Sequence, residues 1–160
     1  MVCIRGFWKR LHPRAPEQPF VKARIFIGEE EIGIVEFLID TGGGVTLLSR
    51  SDAYRLGLTE RVNKKKCIET IGIAATEKAC EIKGEPRIVL EDSIDSNIKV
   101  EAKADKPVFL VPPEPPKPPK DRRYYRYIYA RPSVLGWNIL KHTKTTINYK
   151  DEIIELCINS

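Results

Sequence analysis

The sequence predicts a mostly β fold with one or two short helices. Three observations carry this expectation. Val21-Lys22-Ala23-Arg24-Ile25-Phe26-Ile27 opens as an alternation of apolar and basic residues, the period of a strand with one buried face. Residues 67–111 break into short apolar runs separated by turn residues at Gly72, Gly84-Glu85-Pro86, Asp92-Ser93 and Asp95-Ser96-Asn97. Helical signals are confined to a stretch after Ser49 and a second over Ser133 to Leu140.

At 160 residues the chain fits one domain, and its 42% apolar content can fill a core without a metal or disulfide staple. The net charge of +5 is modest and falls well short of a nucleic-acid-binding arm. No apolar run approaches the ~18 residues of a membrane span. The N-terminus lacks the continuous apolar segment of a signal peptide. Cys3, Cys67, Cys80 and Cys157 are scattered and form no Cys-x-x-Cys pair, which reads as unpaired thiols in a reducing compartment. These features together predict a cytoplasmic protein. With only His12 and His142 there is little from which to build a histidine metal site, and no metal or cofactor is expected.

The first nineteen residues hold Arg5, Lys9, Arg10 and Arg14 with Pro13, Pro16 and Pro19, and read as a basic, irregular N-terminal arm or a loosely attached strand. The domain proper is expected over residues 20–160. Gly28 to Glu31 forms a turn between the first strand and a second over Ile32–Ile39. The last residues of that second strand, Phe37-Leu38-Ile39, are apolar without alternation and predict burial on both faces. Ser49 with Asp52 has the form of a helix cap, and a short helix through Ala53, Leu56 and Leu58 follows. Pro112 to Pro119 carries six prolines in eight positions, which excludes a helix or a central strand and marks an insertion over about 112–132. Within it, Arg122 to Arg131 interleaves arginine and tyrosine. Such a segment can stack on bases, but a loop or strand with solvated arginines is the better reading, and nucleic acid is not expected as a partner. Thr145 to Tyr149 and Glu152 to Ile158 close the chain as two strands.

Asp40 is the most informative residue. An ionised group placed directly after three apolar residues is unfavourable beside a core unless it is paired or hydrogen-bonded. Thr41 adds a hydroxyl, and Gly42, Gly43 and Gly44 permit close approach of another backbone. Together they describe an acid held rigidly in a loop that can accept an extended peptide. Alone, Asp-Thr-Gly is equally consistent with a tight turn.

Its context is more specific. Phe37-Leu38-Ile39-Asp40-Thr41-Gly42-Gly43-Gly44-Val45-Thr46-Leu47-Leu48-Ser49 resembles the active-site loop of the aspartic proteases throughout. Val134-Leu135-Gly136 resembles the apolar-apolar-Gly that packs behind that loop in the retroviral-type, or retropepsin-like, members. The resemblance implies a small closed antiparallel β-barrel, a symmetric homodimer and hydrolysis of a polypeptide substrate between two Asp40 carboxylates, one per subunit. Thr41 would tie the two loops together, Gly42 would leave room for substrate backbone, and Leu135 and Gly136 would pack behind the site.

There are departures. Gly43 stands where Ala or Ser is common. Gly44 and Trp137 stand where viral members carry an Asp and an Arg that brace the dimer, so the chain looks closer to cellular and prokaryotic retropepsin-like proteins. The flap, the hairpin that closes over substrate, would span Ile68 to Cys80 with Ile71, Gly72, Ile73 and Ala74 near its tip, although the glycine-rich tip of viral flaps is missing. Cys67 and Cys80 flank it; free thiols are expected, with a cross-hairpin disulfide as the alternative. A catalytically silent module retained for dimerisation or nucleic-acid binding is the competing reading of the whole chain.

Overall fold

The computed structural model describes residues 1–71, 76–105, 107–113 and 131–159. The chain begins with β1 (Val2–Arg5) and β2 (Phe7–Lys9), followed by the long strands β3 (Gln18–Ile27) and β4 (Glu30–Ile39). After a loop come β5 (Leu47–Leu48), α1 (Arg50–Arg55) and a single 3₁₀ turn (Thr59–Arg61). Then follow β6 (Val62–Ile71), β7 (Thr76–Ile82), β8 (Pro86–Glu91), β9 (Lys99–Glu101) and β10 (Phe109–Leu110). The chain closes with β11 (Ser133–Leu135), α2 (Trp137–Leu140), β12 (Lys144–Asn148) and β13 (Ile153–Ile158). With 51% strand and 10% helix, the mostly β expectation holds.

The alternation seen in the sequence does what its period implies. Val21, Ala23, Ile25 and Ile27 of β3 are buried, while Lys22 and Arg24 turn to the other face. Those two cations are not simply solvated: Arg24 Nε lies 2.9 Å and Lys22 Nζ 3.8 Å from the carboxylate of the fully buried Glu91 on β8, the antiparallel neighbour of β3. Strands β3 and β4 pair antiparallel, and β4 pairs parallel with β11 through Phe37↔Ser133, Leu38↔Val134 and Ile39↔Leu135. Ser49 caps α1 as expected, accepting a hydrogen bond from the Asp52 N–H at 3.1 Å. Asp52 in turn accepts a 2.6 Å bond from the Ser133 hydroxyl, which fastens the start of α1 to β11.

Four expectations need correction. The large sheet runs β6-β7-β10-β5-β11-β4-β3-β8-β9 with β2 added beside β3, and among the described residues this path does not close into a barrel. It is also not purely antiparallel, since β10 with β5 and β11 with β4 pair parallel. Residues 2–9 take the strand alternative expected for this segment, not the irregular one. β1 joins β13 and β12 in a separate three-stranded sheet and buries Ile4 completely, while β2 stacks Phe7 on Phe20 with ring centroids 5.9 Å apart. The strands are too short for an alternation to show, and the basic residues and prolines around them mask their apolar residues. Ser133 to Leu135, read as the start of a helix, is a strand, and the helix begins only after Gly136.

The cysteines are the fourth correction. Cys3 is bonded to Cys157 and Cys67 to Cys80, each pair standing directly opposite in an antiparallel register. Wide separation in sequence hid the first pair, because β1 and β13 meet only in the folded chain. Disulfides persist in oxidising compartments, so cysteine usage no longer argues for a cytoplasmic location. Among the described residues no helix is long and apolar enough to cross a membrane. The bulk of the 112–132 insertion lies outside the described residues.

Candidate active site

Asp40 follows β4 at the point where that strand leaves its pairing with β11. Phe37 and Ile39 point into the core, whereas Leu38 lines a cleft on the opposite face. The unbroken apolar run of the sequence thus serves a core on one side and a cleft floor on the other. The Asp40 N–H donates to the Leu135 carbonyl at 3.1 Å, which extends the β4–β11 ladder by one residue and fixes the Cα from which the carboxyl projects.

The loop then folds back on that carboxyl. The Gly42 N–H donates to Asp40 Oδ1 at 3.1 Å, and the Gly43 N–H donates to the Asp40 carbonyl at 3.1 Å. A side chain at Gly43 would begin 3.0 Å from Asp40 Oδ2, so any other residue there presses on the carboxyl. The Gly43 carbonyl accepts a 2.6 Å bond from the Trp137 N–H, and this joins the loop to the start of α2. Gly136 makes that junction possible: a Cβ there would lie 2.2 Å from the Val45 carbonyl oxygen.

Behind the loop sits a buried polar pair that the sequence reading passed over. The Thr46 hydroxyl donates to Asn138 Oδ1 at 2.8 Å and accepts from the Gly136 N–H at 3.1 Å. Both side chains are essentially inaccessible to solvent. A signal for them existed, since Thr46 and Asn138 each interrupt an apolar run, and a polar group in such a run must find a partner.

The cleft has a volume of about 550 Å³. Its floor is Leu38, Asp40, Gly42, Gly43, Gly44, Val45 and Leu47; its roof is the β6–β7 hairpin, contributing Ile68, Glu69, Thr70 and Glu77; Val134, Pro132 and Val111 form the back wall. Glu77 is buried and ties the hairpin to the body, with Oε2 3.0 Å from Arg131 Nη1 and Oε1 4.0 Å from Arg50 Nη2. No local pattern marks this cluster, because its members come from three separated segments.

The structure therefore brings Asp40, Gly42 and Gly43 into one cleft and places Leu135 and Gly136 directly behind it. Thr41 is exposed and does not line the cleft. The backbone of Ile71 ends β6, while Gly72, Ile73 and Ala74 lie outside the described residues. Among the described residues the one cluster of potential metal ligands is Cys3, Glu155 and Cys157, with both thiols already in a disulfide.

No family model matches the sequence. No curated protein matches it either. Among solved structures the chain is similar to the crystal structure of a retropepsin-like aspartic protease from Rickettsia conorii, at 15% sequence identity and a TM-score of 0.45, with 96% of this chain and 89% of that one covered. The case for chemistry is carried by the residues around Asp40, not by that likeness.

Proposed function

We propose that the chain is an aspartic endopeptidase that acts as a homodimer. The observation that carries this reading is Asp40 itself: a carboxylate held by its own backbone and by the Gly42 N–H, at the floor of a cleft roofed by a β-hairpin. A single aspartate cannot be ionised to take a proton from water and at the same moment be protonated to hydrogen-bond the carbonyl oxygen, so each site would be completed by Asp40 of a second copy.

Two carboxylates within hydrogen-bonding distance cannot both ionise readily, so the pair would share one proton. The ionised member takes a proton from a bound water, whose oxygen attacks the scissile carbonyl carbon. The protonated member hydrogen-bonds the carbonyl oxygen. Collapse of the tetrahedral intermediate breaks the C–N bond, and the amine nitrogen leaves with a proton delivered from the dyad. The substrate would lie as an extended strand between the β6–β7 hairpin and the glycine floor, recognised through its main chain with apolar side chains against Leu38, Ile68 and Val134.

The test is digestion of a peptide library between about pH 3 and 7 with wild type beside Asp40→Asn. Cleavage by the wild type and a loss of at least about 10³-fold in the variant, with thermal unfolding unchanged, is the expected result. Equal cleavage by a folded Asp40→Asn protein refutes the proposal. A folded wild type that cleaves nothing across this range points instead to a silent dimerisation module.

A further inference from the structure

A further cavity, of about 800 Å³, shares no lining residue with the Asp40 cleft. Consecutive residues of β7 divide the two: Glu77 lines the cleft and Lys78 lines this cavity. Lys64 and Lys65 of β6, Lys78, and Lys83 just beyond β7 surround it, against one acid, Glu60. All four lysines are exposed. Among the described residues none of them forms an ion pair, not even Lys78 with Glu69, its partner in the ladder, whereas the adjacent Lys66 lies 3.8 Å from Glu81.

Like charges gathered in this way repel, yet the backbone that carries them is held together. The Cys67–Cys80 bond joins β6 to β7 between Lys65 and Lys78. The Lys83 N–H donates to the Arg61 carbonyl at 2.6 Å, which fixes the end of β7 beside the start of β6. Between them the ladder bulges: Asn63 pairs with Glu81 and Cys67 with Cys80, so Lys64, Lys65 and Lys66 stand against a single step of β7. Asn63 Oδ1 accepts from the Lys65 N–H at 3.2 Å and shapes that bulge.

Positive charge that the chain's own acids leave unmatched raises the local concentration of anions. The lining selects among them. Lysine is a compact point charge with rotatable donors, which suits oxygens spread along a phosphate chain; no arginine lines the cavity to grip a carboxylate in a planar fork. Nor, among the described residues, does any aromatic side chain line it to offer a face to a base. The volume is that of a small-molecule site. We propose that this cavity binds a compact polyphosphate, the linear triphosphate group of inorganic triphosphate or of a nucleoside triphosphate. The four ammonium groups share its oxygens, and the bound chain ties β6 to β7 beside the Cys67–Cys80 bond.

Calorimetric titration at low salt, without divalent cations, compares inorganic triphosphate, orthophosphate, ATP and hexaglutamate. Inorganic triphosphate should bind once per chain, at least about tenfold more tightly than orthophosphate or hexaglutamate. The ATP arm assigns the source: an affinity at least about tenfold above that of inorganic triphosphate names the nucleotide, and an equal or lower one names the free chain. Lys64→Gln with Lys65→Gln, and separately Lys78→Gln with Lys83→Gln, should each raise the Kd for inorganic triphosphate about tenfold or more. Lys99→Gln with Lys144→Gln removes the same charge from β9 and β12, outside the cavity, and should leave Kd within about twofold. Thermal unfolding without ligand checks that each variant folds, and if one cavity pair misfolds the other decides. Triphosphate that binds no more tightly than orthophosphate or hexaglutamate overturns the proposal. So does a Kd unchanged in both cavity pairs, or an equal loss in the Lys99 and Lys144 pair, which would mean attraction by net charge alone.

Discussion

The floor and the roof of the Asp40 cleft are held in different ways. The floor is a continuous backbone construction: Asp40 to Leu135, Gly42 and Gly43 back to Asp40, and Trp137 to Gly43, closed by a glycine contact and by the buried Thr46–Asn138 pair. Each bond constrains its neighbour, so the carboxyl has little freedom to wander. The roof leaves the sheet earlier. Among the described residues, β7 pairs with β10 only at Glu81 and Cys80, and beyond that point Ile68 to Ile71 and Thr76 to Ala79 pair only with each other. A disulfide at the point of departure ties the two hairpin strands to each other, and the Glu77 ion pairs further out join the hairpin to the body. A fixed acid under a roof attached at a few points is what a cleft needs if an extended chain is to enter and leave.

The floor should therefore fail by sterics and the roof by loosening. Gly136→Ala should be the larger stability change, since the added Cβ meets backbone atoms of Val45 and Gly43 that cannot swing aside. Overpacking of this kind costs about 3 kcal/mol, a fall of roughly 9 °C in Tm for a chain of this size. Gly44→Ala, in the same loop but with nothing within 4 Å, should leave Tm within about 1 °C. Thermal unfolding of the two variants side by side checks this, and equal effects would mean that the floor is looser than its bonds imply.

The roof is sharpened by its disulfide. Cys67 and Cys80 are 13 residues apart, and closing a loop of that length is worth at most about 3 kcal/mol through the unfolded state. The double Cys67→Ser, Cys80→Ser variant should lose up to that much. More tellingly, amide exchange should quicken in residues 68–71 and 76–79 while amides of the Asp40 loop keep their protection. Exchange that quickens equally in both regions would contradict the separation of roof from floor.

The same contrast explains what could be read from the sequence. The floor is built from contiguous residues, so the apolar run ending at Asp40, the glycines after it and the Leu135-Gly136 pair were visible as motifs. Their chemistry is local and their spacing short. The roof and the sheet edges depend on partners brought from far away: Glu77 meets Arg50 and Arg131, Cys3 meets Cys157, and Ile4 gains its burial only when β13 arrives. No pattern within a window of ten residues contains those pairings. Strand periodicity was legible for β3 because it is long and its inner face apolar. It was not legible for β1 or β2, which are four and three residues long, nor for β11, whose three residues look helical beside α2.

A third anchor sets how far the whole assembly tolerates acid. Asp92 is almost completely buried, and the Arg5 guanidinium binds both of its oxygens, at 2.7 Å for the closest contact. That hydrogen-bonded pairing, joined by backbone N–H donors of Asp95, Arg5 and Ile94, outweighs burial and holds the carboxyl far below its ordinary range. A carboxyl depressed in the folded chain contributes stability that is complete above its unfolded pKa near 3.9. That contribution is lost as pH falls from there toward the folded value. Asp92→Asn should lower stability by about 2 kcal/mol at pH 7, and by progressively less below about pH 4, as measured by urea unfolding at each pH. A gap between the two proteins that widens on acidification would reverse the sign and remove Asp92 as the cause.

A smaller loss of stability than at Asp92 is expected at the tie between roof and body. Glu77→Gln keeps the shape of the side chain and its place on β7 but weakens the ion pairs to Arg131 and Arg50. The arginines remain partly solvated, so the loss in stability should be only about 1 kcal/mol. Its effect should be felt in binding, because Glu77 itself lines the cleft and positions the hairpin strand that carries Ile68 and Thr70. Peptide hydrolysis by Glu77→Gln should then show KM raised several-fold with kcat nearly unchanged, the pattern of lost uniform binding. A fall in kcat at constant KM would instead place Glu77 in the chemical step. That outcome would erase the distinction between a floor that holds the reacting group and a roof that holds the substrate.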